Sequence, residues 1–172
     1  KGINNTCANK IKVMSPGVES SWFEVERKPS SRSALLFWGR IEEEKGLREL
    51  FHALKTVSKK IKDVSLTIVG EGNRLREYKS LVADLSLTDR VEFTGWLCST
   101  KIQNLTARSS LGIFPSRVES FGLSVVEAMA AGLPVIAASG GAVPENIEQD
   151  VTGTLVPVND ADALARAIIF IL

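Results

Sequence analysis

Two clusters of charged residues in this sequence could bind a ligand that is both anionic and rich in hydroxyl groups. The string GRIEEEKG carries two cations, Arg40 and Lys45, directly after a predicted strand. The string ESFGLSVVE carries two carboxylates, Glu119 and Glu127, around a turn and the start of a predicted helix. Cations can hold a diphosphate, and carboxylates accept hydrogen bonds from sugar hydroxyls. Together they predict the two halves of a site for a nucleotide sugar.

The cations have a second interpretation. Arg40 and Lys45 would flank an anion held by the free N–H groups of the following helix. A lysine at a helix start, however, opposes the helix dipole and costs about 0.3–1 kcal/mol when exposed. The glutamates of GRIEEEKG could instead form local ion pairs with these cations in a solvated loop. Without a ligand contact to decide, both interpretations stay open.

The carboxylates also have alternatives. Ser124 and Glu127 have the spacing of a capping box, in which the serine caps the helix and the glutamate reaches back to the serine N–H. Glu119 has no such structural role, so it is either a sugar ligand or a solvent-exposed loop acid. Downstream, the string GGAVPE at Gly140 is either a flexible turn or a source of backbone N–H groups near a pyrophosphate.

Length and charge exclude several functions. The chain has 172 residues, enough for one domain with a sizeable core, and a net charge of +1, too small to recruit nucleic acid or an acidic membrane. No metal is predicted, since no His, Cys and Asp residues share ligand spacing. Cys7 and Cys98 are expected to be free thiols in a reducing compartment, and His52, one step off an apolar stripe, is expected to be exposed.

Short apolar runs alternate with helical periodicity from Ser33 onward. The runs are continuously apolar, which is typical of parallel strands covered on both faces. We therefore predict an α/β domain with a doubly wound, Rossmann-like parallel sheet over residues 33–172. Residues 1–32 are predicted to be a linker and a first strand, at residues 10–14. The predicted later strands start at residues 34, 64, 91, 111, 134 and 154, and Asn73 and Ser99 are expected to cap helices.

In doubly wound sheets, ligands bind beyond the carboxyl ends of the strands. Arg40, Gly72, Gly95, Glu119 and Gly140 all follow predicted strands, so one rim of the sheet should collect the motifs. The chain starts with a lysine rather than methionine and stops inside an apolar helical pattern. This indicates a domain of a longer protein.

The ordered set of motifs resembles the C-terminal, donor-binding domain of family-4-type retaining glycosyltransferases (glycosyl transferases group 1), which have the GT-B fold. The motifs are GR with KG, VGEG, VEFTG, PS, the pair of glutamates spaced E-x7-E, EAMAAGLPV, and GG followed by PE. The resemblance covers roughly residues 10–172. Each is weak alone, and their joint order makes the resemblance specific.

The resemblance implies a role for each matched residue. Arg40 and Lys45 would bind the donor diphosphate, Glu119 would contact the transferred sugar, and Glu127 would bind the ribose hydroxyls. Arg40, Lys45 and Glu119 would be the catalytic residues. Further donor contacts would come from Gly39, Gly70, Gly72, Gly95, Trp96, Phe121, Gly122 and Leu123.

The resemblance also implies a reaction and its partners. The full-length enzyme would transfer a hexosyl group from a nucleotide sugar to an acceptor with retention of configuration, without a cofactor or metal. An N-terminal acceptor domain would be the partner of this one, and the protein is expected to be cytoplasmic or peripherally associated with the inner face of a membrane. A non-catalytic sugar-nucleotide-binding module, or another GT-B enzyme such as an epimerase, is the alternative.

Overall fold

A computed structural model describes residues 14–172 of the chain, and most of the predicted strand at residues 10–14 lies outside them. The described chain folds into one sheet of six strands with helices between them. The strands are β1 Ala34–Trp38, β2 Ser65–Val69, β3 Val91–Gly95, β4 Leu111–Phe114, β5 Val135–Ala138 and β6 Thr154–Val156. The helices are α1 Leu47–Lys60, α2 Leu75–Asp84, α3 Ser99–Arg108, α4 Leu123–Ala130, α5 Val143–Asn146 and α6 Ala161–Ile171. Two short 3₁₀ helices cover Ser20–Glu24 and Glu43–Lys45.

The strand order is β3-β2-β1-β4-β5-β6, and every neighbouring pair is parallel. This order confirms the predicted doubly wound, Rossmann-like sheet. The chain winds outward in one direction from β1 to β3 and then returns to β4 on the other side of β1. The carboxyl ends of β1 and β4 therefore form the switch point, where open α/β sheets bind their ligands.

The strands form where the sequence is continuously apolar, and their side chains make the core. All four residues of β4 and of β5 are buried, as expected for strands covered on both faces. Helix α1 turns its predicted apolar stripe onto the sheet, and its five members, Leu47, Leu50, Phe51, Leu54 and Val57, are all fully buried. His52, beside the stripe, is exposed as predicted.

The predicted helix caps at Asn73, Ser99 and Ser124 were wrong. Helices α2, α3 and α4 have no side-chain cap. Asn73 lies one residue too early and donates its backbone N–H to Glu42, whereas Ser99 and Ser124 already lie in the first helical turn. The chain caps α6 instead, where the carboxylate of Asp160 accepts the N–H of Ala163 at 2.7 Å.

Packing onto the sheet begins inside the segment predicted as a linker. The first 3₁₀ helix inserts Trp22, which is 1% exposed. Farther along, the guanidinium of Arg27 donates to the carbonyl oxygens of Ser109 at 2.7 Å and of Gly132 at 3.0 Å. Backbone hydrogen bonds add to these contacts, since the N–H groups of Lys28 and Ser30 donate to the carbonyls of Ala107 and Arg108. Within the described residues, no helix is long and apolar enough to cross a bilayer.

Candidate functional site

The two charged clusters of the sequence meet at the switch point. The loop after β1 and the loop after β4 pack backbone against backbone, and Arg117 donates its N–H to the carbonyl of Glu44 at 2.7 Å. Gly46 permits this approach, because it has a φ of +67° and a Cβ there would lie 2.0 Å from the carbonyl oxygen of Pro115. The fold therefore brings together residues that lie about seventy positions apart in sequence.

Lys45 and Glu119 form an ion pair across these loops. The Nζ of Lys45 lies 2.6 Å from Oε1 of Glu119, and the two side chains are only 14% and 21% exposed. The solvent-exposed loop acid considered for Glu119 is therefore excluded. Lys45 also avoids the unfavourable helix position, since it ends a 3₁₀ turn and precedes Gly46, the N-cap position of α1. Its ammonium has three donors and can bind a phosphate without releasing Glu119.

Arg40 stays at the surface. Its side chain is 75% exposed and its guanidinium lies 3.5 Å from Glu44, too far for a strong hydrogen bond. Arg40 therefore forms the local ion pair considered from the sequence, but only as a long contact with Glu44. The site consequently presents one exposed, weakly paired cation beside one held in an ion pair.

Arg117 joins the loop after β4 to the loop after β1, and no motif in the sequence predicted this role. Its guanidinium contacts Glu43 at 3.1 Å and Glu49 of α1 at 2.8 Å. Glu43 is shared with Arg74, at 3.1 Å. The hydrogen bond to Glu49 is the main cause that raises the pKa of Arg117 above its ordinary value. This network fixes the 3₁₀ turn that carries Lys45.

Glu127 is held by a tryptophan rather than by a capping box. The indole Nε1 of Trp38, at the end of β1, donates to Oε2 of Glu127 at 2.9 Å. Burial raises the pKa of Glu127 above its ordinary value, the indole hydrogen bond lowers it, and the negative charge of Glu19 raises it. The capping role of Glu127 is therefore excluded, and its second carboxylate oxygen has no protein donor among the hydrogen bonds of the described residues.

The start of helix α4 leaves backbone donors available. Gly122 occupies the N-cap position in a left-handed conformation, and no side chain caps the helix. Among the described residues, the N–H groups of Leu123 and Ser124 have no hydrogen-bond partner, whereas that of Val125 donates to the carbonyl of Gly122 at 2.9 Å. The preceding carbonyl, that of Phe121, accepts a hydrogen bond from the side-chain amide of Asn146. Asn146, at the end of α5, was not predicted as a site residue and fixes the entry to this helix.

The glycine turn after β5 packs beneath Glu119. Gly141 has a φ of +59°, and a Cβ there would lie 2.0 Å from the carbonyl oxygen of Glu119. That carbonyl also accepts the N–H of Ala142 at 2.9 Å. The turn is therefore a support for the Glu119 loop and not the flexible loop considered from the sequence.

A cleft of about 300 Å³ opens beside Arg40, over the carboxyl ends of β1, β2 and β3. It is lined by residues 38–40, 69–71, 96, 97 and 102. The predicted residues Gly39, Arg40, Gly70 and Trp96 are among them. Trp96 is 71% exposed, so one face of the indole is free to stack on a planar group.

Gly72 and Gly95 lie next to the cleft and do not line it. A Cβ on Gly72 would lie 2.2 Å from the carbonyl oxygen of Ile41, and the carbonyl of Gly95 accepts the N–H of Gly70 at 2.8 Å. Both residues therefore hold the loops that shape the cleft. Their predicted role as direct donor contacts remains a prediction.

A larger cavity, of about 540 Å³, lies at the opposite edge of the sheet near the starts of β5 and β6. Asp150 is its single charged lining residue, and the remaining lining is apolar or uncharged. It offers no cation to an anion, so the chemistry assigns the functional site to the smaller cleft. Within residues 14–172, no group of three or more His, Cys, Asp or Glu side chains could hold a metal ion.

The sheet edge thus combines an apolar, tryptophan-lined cleft, two cations, uncapped N–H groups and two carboxylates. A planar base suits the cleft, an anion suits the cations and N–H groups, and hydroxyl groups suit the carboxylates. A nucleotide sugar has all three parts.

Solved structures of known proteins share this fold. Anabaena Alr3699/HepE, crystallised in complex with UDP and glucose, matches with a TM-score of 0.80 and 27% identity over 91% of this chain and 46% of that chain. The C-terminal domain of the glycosyl transferase group 1 family protein LpcC from Francisella tularensis matches with a TM-score of 0.74 and 27% identity, over 87% of this chain and 85% of that one.

The sequence comparisons agree with the structural ones. The amylovoran biosynthesis glycosyltransferase AmsK of Erwinia amylovora is 30% identical over 170 residues, which are 94% of this chain and 42% of that protein. The chain spans less than half the length of the curated relatives it matches. The family model described as glycosyl transferases group 1 matches residues 18–172. The chain therefore belongs to the glycosyl transferases group 1 family and forms a C-terminal domain of the GT-B fold.

Proposed function

We propose that this domain binds the nucleotide-sugar donor of a retaining glycosyltransferase that transfers a hexosyl group. The observation that carries the proposal is the Lys45–Glu119 pair beside the uncapped start of α4. A diphosphate placed between Lys45, Arg40 and the helix N–H groups would put its sugar next to Glu119. The base and ribose would then extend toward the tryptophan-lined cleft and Glu127.

In this arrangement, catalysis would be electrostatic. Breaking the bond between the sugar and the diphosphate leaves negative charge on the leaving phosphate, and fixed cations and helix N–H groups stabilise such charge as it develops. Lys45 would do this from a fixed position, because Glu119 and the 3₁₀ turn restrain it. Glu119 would orient the sugar, and no metal or other cofactor is included in the proposal.

The acceptor would come from outside this domain. The relatives are more than twice as long as the matched region, so an N-terminal domain would complete the enzyme and hold the acceptor. A cytoplasmic location, with peripheral membrane association through that other domain, is part of the same proposal. A sugar-nucleotide-binding module without transfer activity is the second candidate, and the intact rim of cations and carboxylates favours the enzyme.

Calorimetric titration of the chain with UDP, GDP, ADP and their sugars tests the proposal. We expect one nucleotide to bind, and Arg40→Ala to weaken that binding about tenfold through loss of a charge-assisted hydrogen bond to phosphate. Lys62→Ala is the matched control, because Lys62 is an exposed cation before β2, at the opposite edge of the sheet. Equal weakening in both variants, or no binding of any nucleotide, would contradict the proposal.

A further inference from the structure

We propose that Trp38, backed by Trp22, is a positioning residue that aims the carboxylate of Glu127 at the ribose hydroxyls of the donor. The inference rests on the proposed function and goes beyond it. It assigns ribose recognition to a unit of three side chains from three separate segments of the chain. Two of them, Trp22 and Trp38, were not predicted as site residues.

The aromatic contacts around Trp38 hold its indole ring in a single orientation. Trp22 stacks on it with centroids 5.7 Å apart and planes 6° from parallel, and Phe114 of β4 meets its edge at 4.8 Å and 86°. Trp38 is 5% exposed and Trp22 1%. The indole N–H, a donor only, points at Oε2 of Glu127 at 2.9 Å. Trp38 also lines the cleft proposed for the base and ribose.

The hydrogen bond from Trp38 orients the Glu127 carboxylate so that it can accept the two ribose hydroxyls. A glutamate on a helix otherwise samples several rotamers, and fixing one oxygen leaves Oε1 in a defined place to accept a hydroxyl. The bond also favours the ionised form, which accepts hydroxyl hydrogen bonds most strongly. It acts against burial and against the negative charge of Glu19, at the start of the first 3₁₀ helix.

The segment that carries Trp22 therefore belongs to the donor site although it touches the proposed ligand nowhere. It packs against α4, the helix that carries Glu127, and against the ring that orients Glu127. A substitution in this segment should therefore weaken binding of the ribose hydroxyls and leave the phosphate contacts unchanged.

The test compares a nucleoside diphosphate with its 2′,3′-dideoxy analogue, titrated calorimetrically into the chain. We expect the wild type to prefer the ribose form, and Trp38→Phe to reduce that preference about tenfold, the effect of losing one charge-assisted hydrogen bond. Trp22→Phe should reduce it less. In the Glu127→Ala background, where no side-chain acceptor remains for the indole N–H, Trp38→Phe should have no further effect on the ribose preference, whereas a merely structural effect would persist there.

Phe51→Leu is the control for lost stability, because Phe51 is a buried aromatic of α1 whose ring contacts are Tyr78 and Phe93, away from Glu127. It should lower the melting temperature and leave the ribose preference unchanged. If Trp38→Phe does not fold, an NMR titration that follows the indole ¹⁵N–¹H resonance of Trp38 in the wild type takes the place of this variant. That resonance should shift more with the ribose form than with the dideoxy form.

The outcomes separate the two proposals. A wild type that binds no nucleotide overturns the proposed function, and this inference with it. A wild type that prefers ribose, with that preference kept in Trp38→Phe, overturns the inference alone. An indole resonance that responds equally to both nucleotides also overturns it.

Discussion

At the residue scale, the two cations of the site differ in how closely each is paired with a carboxylate of the protein. Lys45 is held by Glu119 in a half-buried pair, and Arg40 extends into solvent with only a long contact to Glu44. A charge that is already paired contributes to folding as well as to binding. We therefore expect substitutions of the two cations to have different effects on stability.

Replacing Lys45 should cost stability and replacing Arg40 should not. Lys45→Ala leaves Glu119 without its partner in a half-buried place, which should lower the free energy of unfolding by about 1–3 kcal/mol. Arg40→Ala removes an exposed pair and should change it by less than about 0.5 kcal/mol. Urea denaturation of both variants measures the difference. Equal losses would show that the Lys45–Glu119 pair does not stabilise the fold.

The ionised carboxylate of Glu127 should lower the stability of the folded domain, because it is partly buried. Its pKa is raised above 4.5 in the folded state, so between the two pKa values the folded protein binds more protons than the unfolded chain, and stability falls as pH rises through this window. Glu127→Gln should therefore unfold at a higher temperature than the wild type at neutral pH, with the difference shrinking on acidification toward 4.5.

The same Glu127→Gln variant should bind the nucleotide more weakly, because an amide accepts hydroxyl hydrogen bonds less strongly than a carboxylate. Thermal unfolding across the pH range, with and without nucleotide, checks both effects. A wild type that is more stable than Glu127→Gln at neutral pH, without ligand, would contradict the argument.

At the scale of elements, the site depends on loops that touch through their backbones. The loop after β1, the loop after β4 and the turn after β5 interlock where glycines replace side chains, as at Gly46 and Gly141. Part of the positioning of the site therefore comes from backbone contacts, which a substitution of the site's charged side chains would leave in place.

Gly141→Ala should damage the site without touching the proposed ligand. Alanine is strained at this positive φ, and its Cβ would overlap the carbonyl of Glu119, so the Glu119 loop must move. We expect weaker binding of the nucleotide sugar and a stability loss of about 1 kcal/mol or more. Gly17→Ala is the matched control, since a Cβ there meets nothing within 4 Å. Unchanged sugar-nucleotide affinity in Gly141→Ala would contradict the expectation.

The elements themselves could be predicted from the sequence because their signals are local. The strands Ala34–Trp38 and Leu111–Phe114 begin at the predicted residues, since each is a continuous apolar run that directly follows a serine. The caps at Ser99 and Ser124 were wrong because a serine near a helix start fits both the cap and the first turn, and backbone geometry decides between them.

The contacts of the site could not be predicted in this way. Lys45 and Glu119 are 74 residues apart and Trp38 and Glu127 are 89 apart, and no periodicity links such positions. The family resemblance supplied the candidate functional residues, but it did not supply their partners. Trp38 and Arg117 lacked any motif of their own, and only the strand order brought them to the site.

At the scale of the whole molecule, this domain carries the proposed donor site, and the proposal assigns the acceptor to a separate domain. We expect residues 1–172 to bind a nucleotide or nucleotide sugar and to transfer no sugar to an added acceptor. Orientation of the two reactants can contribute about 7–11 kcal/mol to a barrier, and one domain cannot supply it. A radiolabelled sugar donor with an acceptor panel measures transfer, and efficient transfer by this chain alone would contradict the prediction.

The strand order also has a consequence for how the protein folds. Strands β1, β2 and β3 and their helices form a nearly continuous stretch of chain, so the cleft side can assemble from relatively local contacts. The Lys45–Glu119 pair closes a loop of 74 residues, whose entropic cost must be met before the contact forms. Nucleotide affinity should therefore appear late during refolding, after most helical signal has returned. In a chain still emerging from the ribosome, the cleft over β1, β2 and β3 would form before Glu119 and Glu127 are in place.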